Sequence, residues 1–287
     1  MSISDKKSTV APIESSLEVK TTKPTLQNQL DRLKKKVDER SLSKDLKLPD
    51  WPDTKRGTPN SFLRSALFSA TQGKDDKDRP YLYGDVVASQ EGIAIKFTGK
   101  QLNQDDLTLW EALVHLSKDQ ALGNVCEFTA YSILKSIGLG DGGDERERLH
   151  KGIIRLGACM VEISHNGSRV YFSSLIDSGA KDELTSHYTI QLNRQLARLY
   201  SQNTWMDLDQ RLQLRRKPLA QFLHGYYSSH KTPYPIKVET LLQLSGSKNK
   251  RLSGFKQKVS TALDDLVKIE FLKSYNIDGN MVIVKRK

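Results

Sequence analysis

Near the C-terminal end of this 287-residue chain, Lys248, Lys250, Arg251, Lys256, Gln257, Lys258 and Thr261 crowd one short stretch. Lysine and arginine neutralise phosphate oxygens, arginine can also pair with a guanine edge, and glutamine can bracket an adenine. The group therefore combines base-reading chemistry with charge. An earlier stretch holds Arg148, Lys151 and Arg155, which fall within about 60° of one another on a helix of 3.6-residue period. Arg169 adds a cation just beyond Asn166-Gly167. The plain alternative for every one of them is a solvated basic surface.

The distribution of charge argues against that alternative. The formal excess is +11, from 45 Lys+Arg against 34 Asp+Glu. Residues 194–287 hold 18 basic and 7 acidic side chains, so the last third carries the whole excess while the rest of the chain balances. A field so localised points to a polyanion, and the coincidence with a groove-reading pattern favours nucleic acid over membrane.

Two segments can position these residues. In the later one, Tyr234-Pro235-Ile236 is extended, Val238 to Leu244 gives a short helix, and Ser245 to Lys250 a turn. A second helix, Leu252 to Ile269, has Phe255, Val259, Leu263 and Leu266 on its inward stripe. Phe271 to Ile277, a tip at Asp278-Gly279-Asn280, and Met281 to Val284 then form a hairpin. Arg251, Lys258 and Thr261 are placed away from the inward stripe, with Gln257 beside them. The earlier segment repeats the order. Phe128 to Ile137 is a helix, Gly138 to Gly143 a turn, and Asp144 to Met160 a helix with Leu149, Ile153, Leu156 and Met160 inward. Val161–Ile163 and Val170–Phe172 flank Asn166-Gly167, the strongest short hairpin signal. Apolar spacing aligns Leu134 and Ile137 with Leu241 and Leu244, and Ile153 and Leu156 with Leu263 and Leu266 after a three-residue change in the turn. Helix, turn, helix and hairpin make a winged helix, which lays its second helix in a groove of duplex DNA.

The expected fold class is α+β, with tandem winged-helix domains and a partly disordered tail. The tail covers 1–50, including a short helical pattern from Leu26 to Arg40, and an extended linker broken by prolines covers 51–80. Domain one spans 81–202 and domain two 203–287. Domain one also holds a strand at Ile93–Phe97, a helix at about Asn103–Ser117 with Leu109, Leu113 and Leu116 inward, a strand at Tyr188–Leu192 and a helix to Tyr200. Domain two opens with a helix from Leu208 to Ser228, interrupted near Pro218.

Enzymatic motifs do not emerge. The glycine-rich turn at 138–143 is followed by Asp144, where a P-loop needs its lysine. The six histidines never flank a single hydrophobic residue as a nickase metal site requires, so Tyr226 and Tyr227 read as core. Cys126 and Cys159 sit in apolar runs and read as buried free thiols of a reducing cytoplasm. No apolar run approaches membrane length and no signal-peptide core opens the chain. The expectation is a cytoplasmic binding protein that is not an enzyme and needs no cofactor or metal.

Two strings carry a more specific likeness. Trp51-Pro52-Asp53-Thr54 leads through Pro59-Asn60 to Arg64-Ser65-Ala66-Leu67-Phe68. Ser228-Ser229-His230 precedes Pro233-Tyr234-Pro235-Ile236-Lys237-Val238-Glu239-Thr240 and the basic helix. Together they resemble the TrfA-type plasmid replication initiators from about Pro49 onward. The resemblance implies binding of double-stranded origin repeats (iterons), opening of an AT-rich element that is then held as single-stranded DNA, and recruitment of the host helicase, its loader and the sliding clamp. It also implies a monomer–dimer equilibrium with active monomers. It gives Lys248 to Lys258 the main base-reading role and Arg64 to Phe68 a supporting one. The family's clamp-binding peptide, a glutamine followed by Leu and Phe, is replaced here by Leu46-Lys47-Leu48-Pro49. A winged-helix transcriptional repressor is the alternative within DNA binding.

Overall fold

Proline and aspartate break the chain around Trp51, yet the large side chains there have nowhere better to go than a core. A computed structural model of the protein describes residues 47–71, 79–119 and 123–287, without the side chains of residues 169 and 170. The tail helix expected at Leu26 to Arg40 lies outside them. Strand β1 (Lys55–Pro59) and the single-turn α1 (Asn60–Leu63) begin the described body, followed by β2 (Phe68–Ser69). Trp51, Phe62, Leu67 and Phe68 are all buried, so residues 51–71 are part of the body and not the extended linker expected. Trp51 stacks on Tyr200, and its indole N–H donates to Nδ1 of His115 at 3.0 Å.

Next come β3 (Tyr81–Val87), β4 (Ile93–Lys100), β5 (Leu102–Asn103) and α2 (Gln104–Leu116). Asn103 and Asp106 close a reciprocal capping box at the start of α2. Leu109 and Leu113 face inward as the spacing predicts, whereas Leu116 ends the helix in solvent. The chain continues through β6 (Val125–Thr129), α3 (Ala130–Ser136) and α4 (Gly143–Gly157). Four strands follow: β7 (Met160–His165), β8 (Ser168–Ser173), β9 (Ile176–Asp182) and β10 (His187–Leu192). Met160 opens β7 and is exposed, so it does not belong to the inward stripe of α4. A 3-10 helix (Arg194–Ser201) leads to β11 (Asn203–Asp207), which zips antiparallel onto β1.

The remainder is α5 (Leu208–Gln213), α6 (Pro218–Ser228), β12 (Ile236–Lys237), α7 (Val238–Leu244), α8 (Leu252–Lys268), β13 (Leu272–Asp278) and β14 (Met281–Arg286). Pro218 sits in the first turn of α6, which explains the interruption read from the sequence. Phe255, Val259, Leu263 and Leu266 of α8 are fully buried, as the stripe predicts. Two apolar clusters result, one from Leu48 to Met206 and one from Leu214 to Val284.

Sheet order exposes the repeat and corrects part of its reading. In the later segment the order is β12-β14-β13, and in the earlier one it is β6-β10-β9. Each sheet joins the strand before the helix pair to the second strand of a following hairpin. The hairpin matching β13–β14 is therefore β9–β10, not the Asn166-Gly167 hairpin. That hairpin, β7–β8, belongs to a separate sheet ordered β3-β4-β7-β8. Asn-Gly builds a tight turn wherever it occurs, but sheet membership is decided by distant pairing. Glycines refine the alignment too. Gly138 and Gly246 each stand just past a helix with φ of 69° and 60°, and the next residue donates back to Leu134 and Leu242. This shared helix stop matches Ile133 with Leu241, one residue away from the apolar alignment. The turn then differs by two residues rather than three, since Ile153 still matches Leu263.

Candidate nucleic-acid interface

Helix α8 is fixed by its buried stripe and by the hairpin beside it. Tyr275 of β13 donates to Asp264 at 2.7 Å and meets Ser260 Oγ at 2.9 Å, so one flank of α8 is covered. Lys256 lies on that flank, and its ammonium donates to the carbonyl of Gly279 at the hairpin tip. It ties helix to hairpin and does not share the face of the other candidates. Lys248, Lys250, Arg251, Gln257, Lys258 and Thr261 are exposed. Lys258 donates to Asn249 Oδ1 at 3.0 Å, which draws its charge toward the turn where Lys248 and Lys250 stand. Thr261 donates back to the carbonyl of Gln257. No side chain caps the first turn of α8 at Arg251, so backbone N–H groups there remain open to an anion beside three cations.

Helix α4 is differently equipped. Asp144 and Glu145 occupy its first turn, and Arg146 is held by both oxygens of Asp141 at 2.7 Å. Arg148 is 3.5 Å from Glu145, and Lys151 is 2.7 Å from Glu147. The hydrogen bond from Lys151 holds the Glu147 carboxyl below its usual range. Arg148 and Lys151 are exposed but half-neutralised by their own helix.

Arg155 is not part of any exposed face. Its Nε and a terminal nitrogen donate to Asp106 Oδ1 at 3.1 and 2.7 Å, while Arg79 takes the other oxygen. Asp106 is 1 % exposed and also belongs to the cap of α2, so Arg155 locks α4 onto α2. Arg169 stands in β8, outside the hairpin that matches β13–β14, and its side chain is outside the description. At the C terminus, Arg286 lies 5.2 Å over the Phe271 ring and donates to the carbonyls of Tyr227 and His230, and Lys287 pairs with Glu270 at 3.1 Å. Arg286 is thereby a packing residue; Lys285 remains exposed.

Sequence reasoning missed the groups that set the two helix pairs against each other. Arg211 of α5 meets Glu111 of α2 at 2.8 Å, both 1 % exposed, and Thr58 donates to the same carboxylate at 2.8 Å. Burial raises the Glu111 carboxyl above its ordinary value against the pull of Arg211. Arg64 donates to Ser229 Oγ at 2.9 Å and to the Ser229 carbonyl. Arg64 and Ser229 come from the two strings that carried the family likeness, and they meet at this joint. Cys126 and Cys159 are buried and free, and Tyr226 and Tyr227 are buried in the core, as expected. No helix among the described residues is long and apolar enough to cross a membrane.

The chain is similar to known replication proteins. A family model described as TrfA protein matches residues 8–286. The plasmid replication initiator protein TrfA of Escherichia coli is 25 % identical over 266 residues, covering 90 % of this chain and 68 % of the relative. Domains 2 and 3 of RctB share the fold with a TM-score of 0.54 at 14 % identity, over 80 % of this chain and 98 % of theirs. The Pi initiator protein, solved in complex with iteron DNA, aligns with a TM-score of 0.51 at 12 % identity, over 83 % of this chain and 100 % of its own.

Proposed function

Because the chain belongs to the TrfA protein family, we propose that it initiates plasmid replication by binding directly repeated duplex sites at an origin. The observation that carries this reading is the exposed face of α8, where Lys250 and Arg251 stand at an uncapped helix start and Gln257 and Lys258 are exposed further along the helix. Such a face supplies phosphate neutralisation and base-edge hydrogen bonds from one rigid element. The matching sheet orders around α4 and α8 support two winged helices in tandem. A relative that initiates plasmid replication and a fold shared with an iteron-bound initiator support the same reading.

In this account α8 reads the bases and α4, with its paired charges, contributes fewer phosphate contacts. The bound protein opens a neighbouring AT-rich element, holds a melted strand, and draws in the host helicase and loader. Monomers bind the repeats and dimers are the inactive reserve. The protein works in the cytoplasm and cuts no DNA strand. Clamp binding is weak, since Leu46-Lys47-Leu48-Pro49 has neither glutamine nor aromatic anchor and Leu48 is buried.

Footprinting the full chain on its plasmid tests the reading. Protection of several direct repeats beside an AT-rich stretch is expected. A single protected palindrome would instead make the protein a repressor. Incubation with supercoiled origin DNA and a divalent metal is expected to leave the DNA unnicked.

A further inference from the structure

Between α5 and α6 the chain makes a short basic turn, Leu214-Arg215-Arg216-Lys217, that the interface above does not use. Its shape is fixed locally. Leu214 is fully buried, Lys217 N–H donates to the Leu214 carbonyl at 3.0 Å, and Arg216 adopts a left-handed backbone with φ of 64°. Pro218 then starts α6.

The turn touches both helix pairs. On one side Arg215 lies against the stop of α3: a Cβ built on Gly138 would come within 3.3 Å of its guanidinium nitrogen. The absence of a side chain at Gly138 is what lets the guanidinium approach the first helix-turn-helix. On the other side Lys217 pairs with Asp265 of α8 at 2.8 Å. The turn is thus pinned in the seam between the two modules, with Arg215 and Arg216 exposed. Among the described residues no carboxylate pairs with Arg215.

Two groove-reading helices on one face of a duplex lie about one helical turn apart, on the order of 34 Å. The strip of DNA between them that faces the protein is a minor groove bordered by two phosphate backbones. If both helices engage one duplex, as the proposed reading has it, a cation pair in the seam between them falls beside that strip. Arginine suits it, since its planar fork grips phosphate oxygens and is attracted into narrow minor grooves.

We infer that Arg215 and Arg216 form a third DNA contact, gripping the backbone of the minor groove between the duplex segments held by α4 and α8. The inference rests on the proposed tandem winged-helix reading and adds a contact that carries no base specificity. Its role is to fix the spacing of the two modules on a repeat. Lys217 serves as the anchor that holds the pair in place.

The test uses the full chain and a duplex bearing one repeat identified by footprinting. Wild type, R215A/R216A, R215K/R216K and K258E are compared by salt titration and hydroxyl-radical footprinting. The expected result for R215A/R216A is a plot of log affinity against log salt that is shallower by about 1.8, at about 0.9 per lost phosphate contact. The protected strip between the two major-groove footprints should disappear, binding to all sequences should weaken alike, and the lysine pair should keep the wild-type slope. Should the double variant fail to fold, R215A carries the test with a slope change of about 0.9. An unchanged slope and strip in the alanine variant, with K258E binding poorly, overturns the seam contact alone. Unchanged binding in both R215A/R216A and K258E overturns the tandem reading and the seam contact together.

Discussion

A cation on a helix serves a ligand poorly when its partner holds it into the core or against a covered flank. Arg155 is held by Asp106, Lys256 by the Gly279 carbonyl and Arg286 by two carbonyls and the Phe271 ring, whereas Lys250, Arg251 and Gln257 face solvent. Removing Arg155 as R155A should lower the unfolding free energy by about 2 kcal/mol, the scale of hydrogen bonds to a buried charge. DNA affinity at fixed salt should not change, and denaturant unfolding together with a binding titration checks both. K256A should likewise cost less affinity than K258A. Titration enters through His224, which is buried, donates from Nε2 to Gln210 Oε1 at 3.1 Å, and has its pKa pushed down to about 3 by burial and then by Arg211. The folded protein refuses a proton that the unfolded chain takes near the ordinary value of 6.5. This contribution to stability is therefore complete above that value and falls as pH drops, by about 1.4 kcal/mol per unit. Urea unfolding between pH 6 and 4 should show the slope, and H224Q should flatten it.

The elements that were legible in the sequence are those whose signals are local. Helices α7 and α8 and the β13–β14 hairpin follow from apolar period, a left-handed glycine and a turn tip, all within one segment. The second hairpin of the earlier repeat escapes a local reading because Asn166-Gly167 is the strongest local hairpin cue, while β6 and β10 pair across residues 130–186, a separation that no local pattern records. The stretch 51–71 reads as a linker because Pro52, Asp53 and Pro59-Asn60 interrupt any local period. What folds it is β1 pairing with β11 and Trp51 sinking between Tyr200 and His115. The role of Arg155 is illegible for the same reason: its partner Asp106 lies on another helix. Gly57 shows how closely β1 is fitted, since a Cβ there would come within 2.5 Å of the Trp51 ring. G57A should displace the indole and lower stability by about 2 kcal/mol, the usual cost of overpacking a filled core. A red-shifted tryptophan emission and an earlier urea midpoint would register it.

At the scale of the molecule, the two helix pairs are joined rather than tethered. Glu111 and Arg211 form a buried ion pair across the joint, Thr58 shares the carboxylate, and Arg64 grips Ser229 at the end of α6. Removing one partner strands a buried charge, so R211A should cost about 4 kcal/mol, whereas E111L/R211M, which removes both, should recover most of it. A calorimetric scan should show one transition for wild type, because neither cluster can open without breaking this joint. Arg64 and Ser229, one from each of the two strings that carry the family likeness, meet at this joint. Initiation at an origin, as proposed, requires α8 to present its cationic face to duplex DNA. The most direct measurement is the affinity of full-length wild type and K258E for a footprinted origin repeat across a range of salt. With about eight phosphates neutralised, log affinity of the wild type should fall against log salt with a slope near about −7, and K258E should bind about tenfold more weakly with a shallower slope. Equal affinity and equal slope for the two proteins at moderate salt would contradict it.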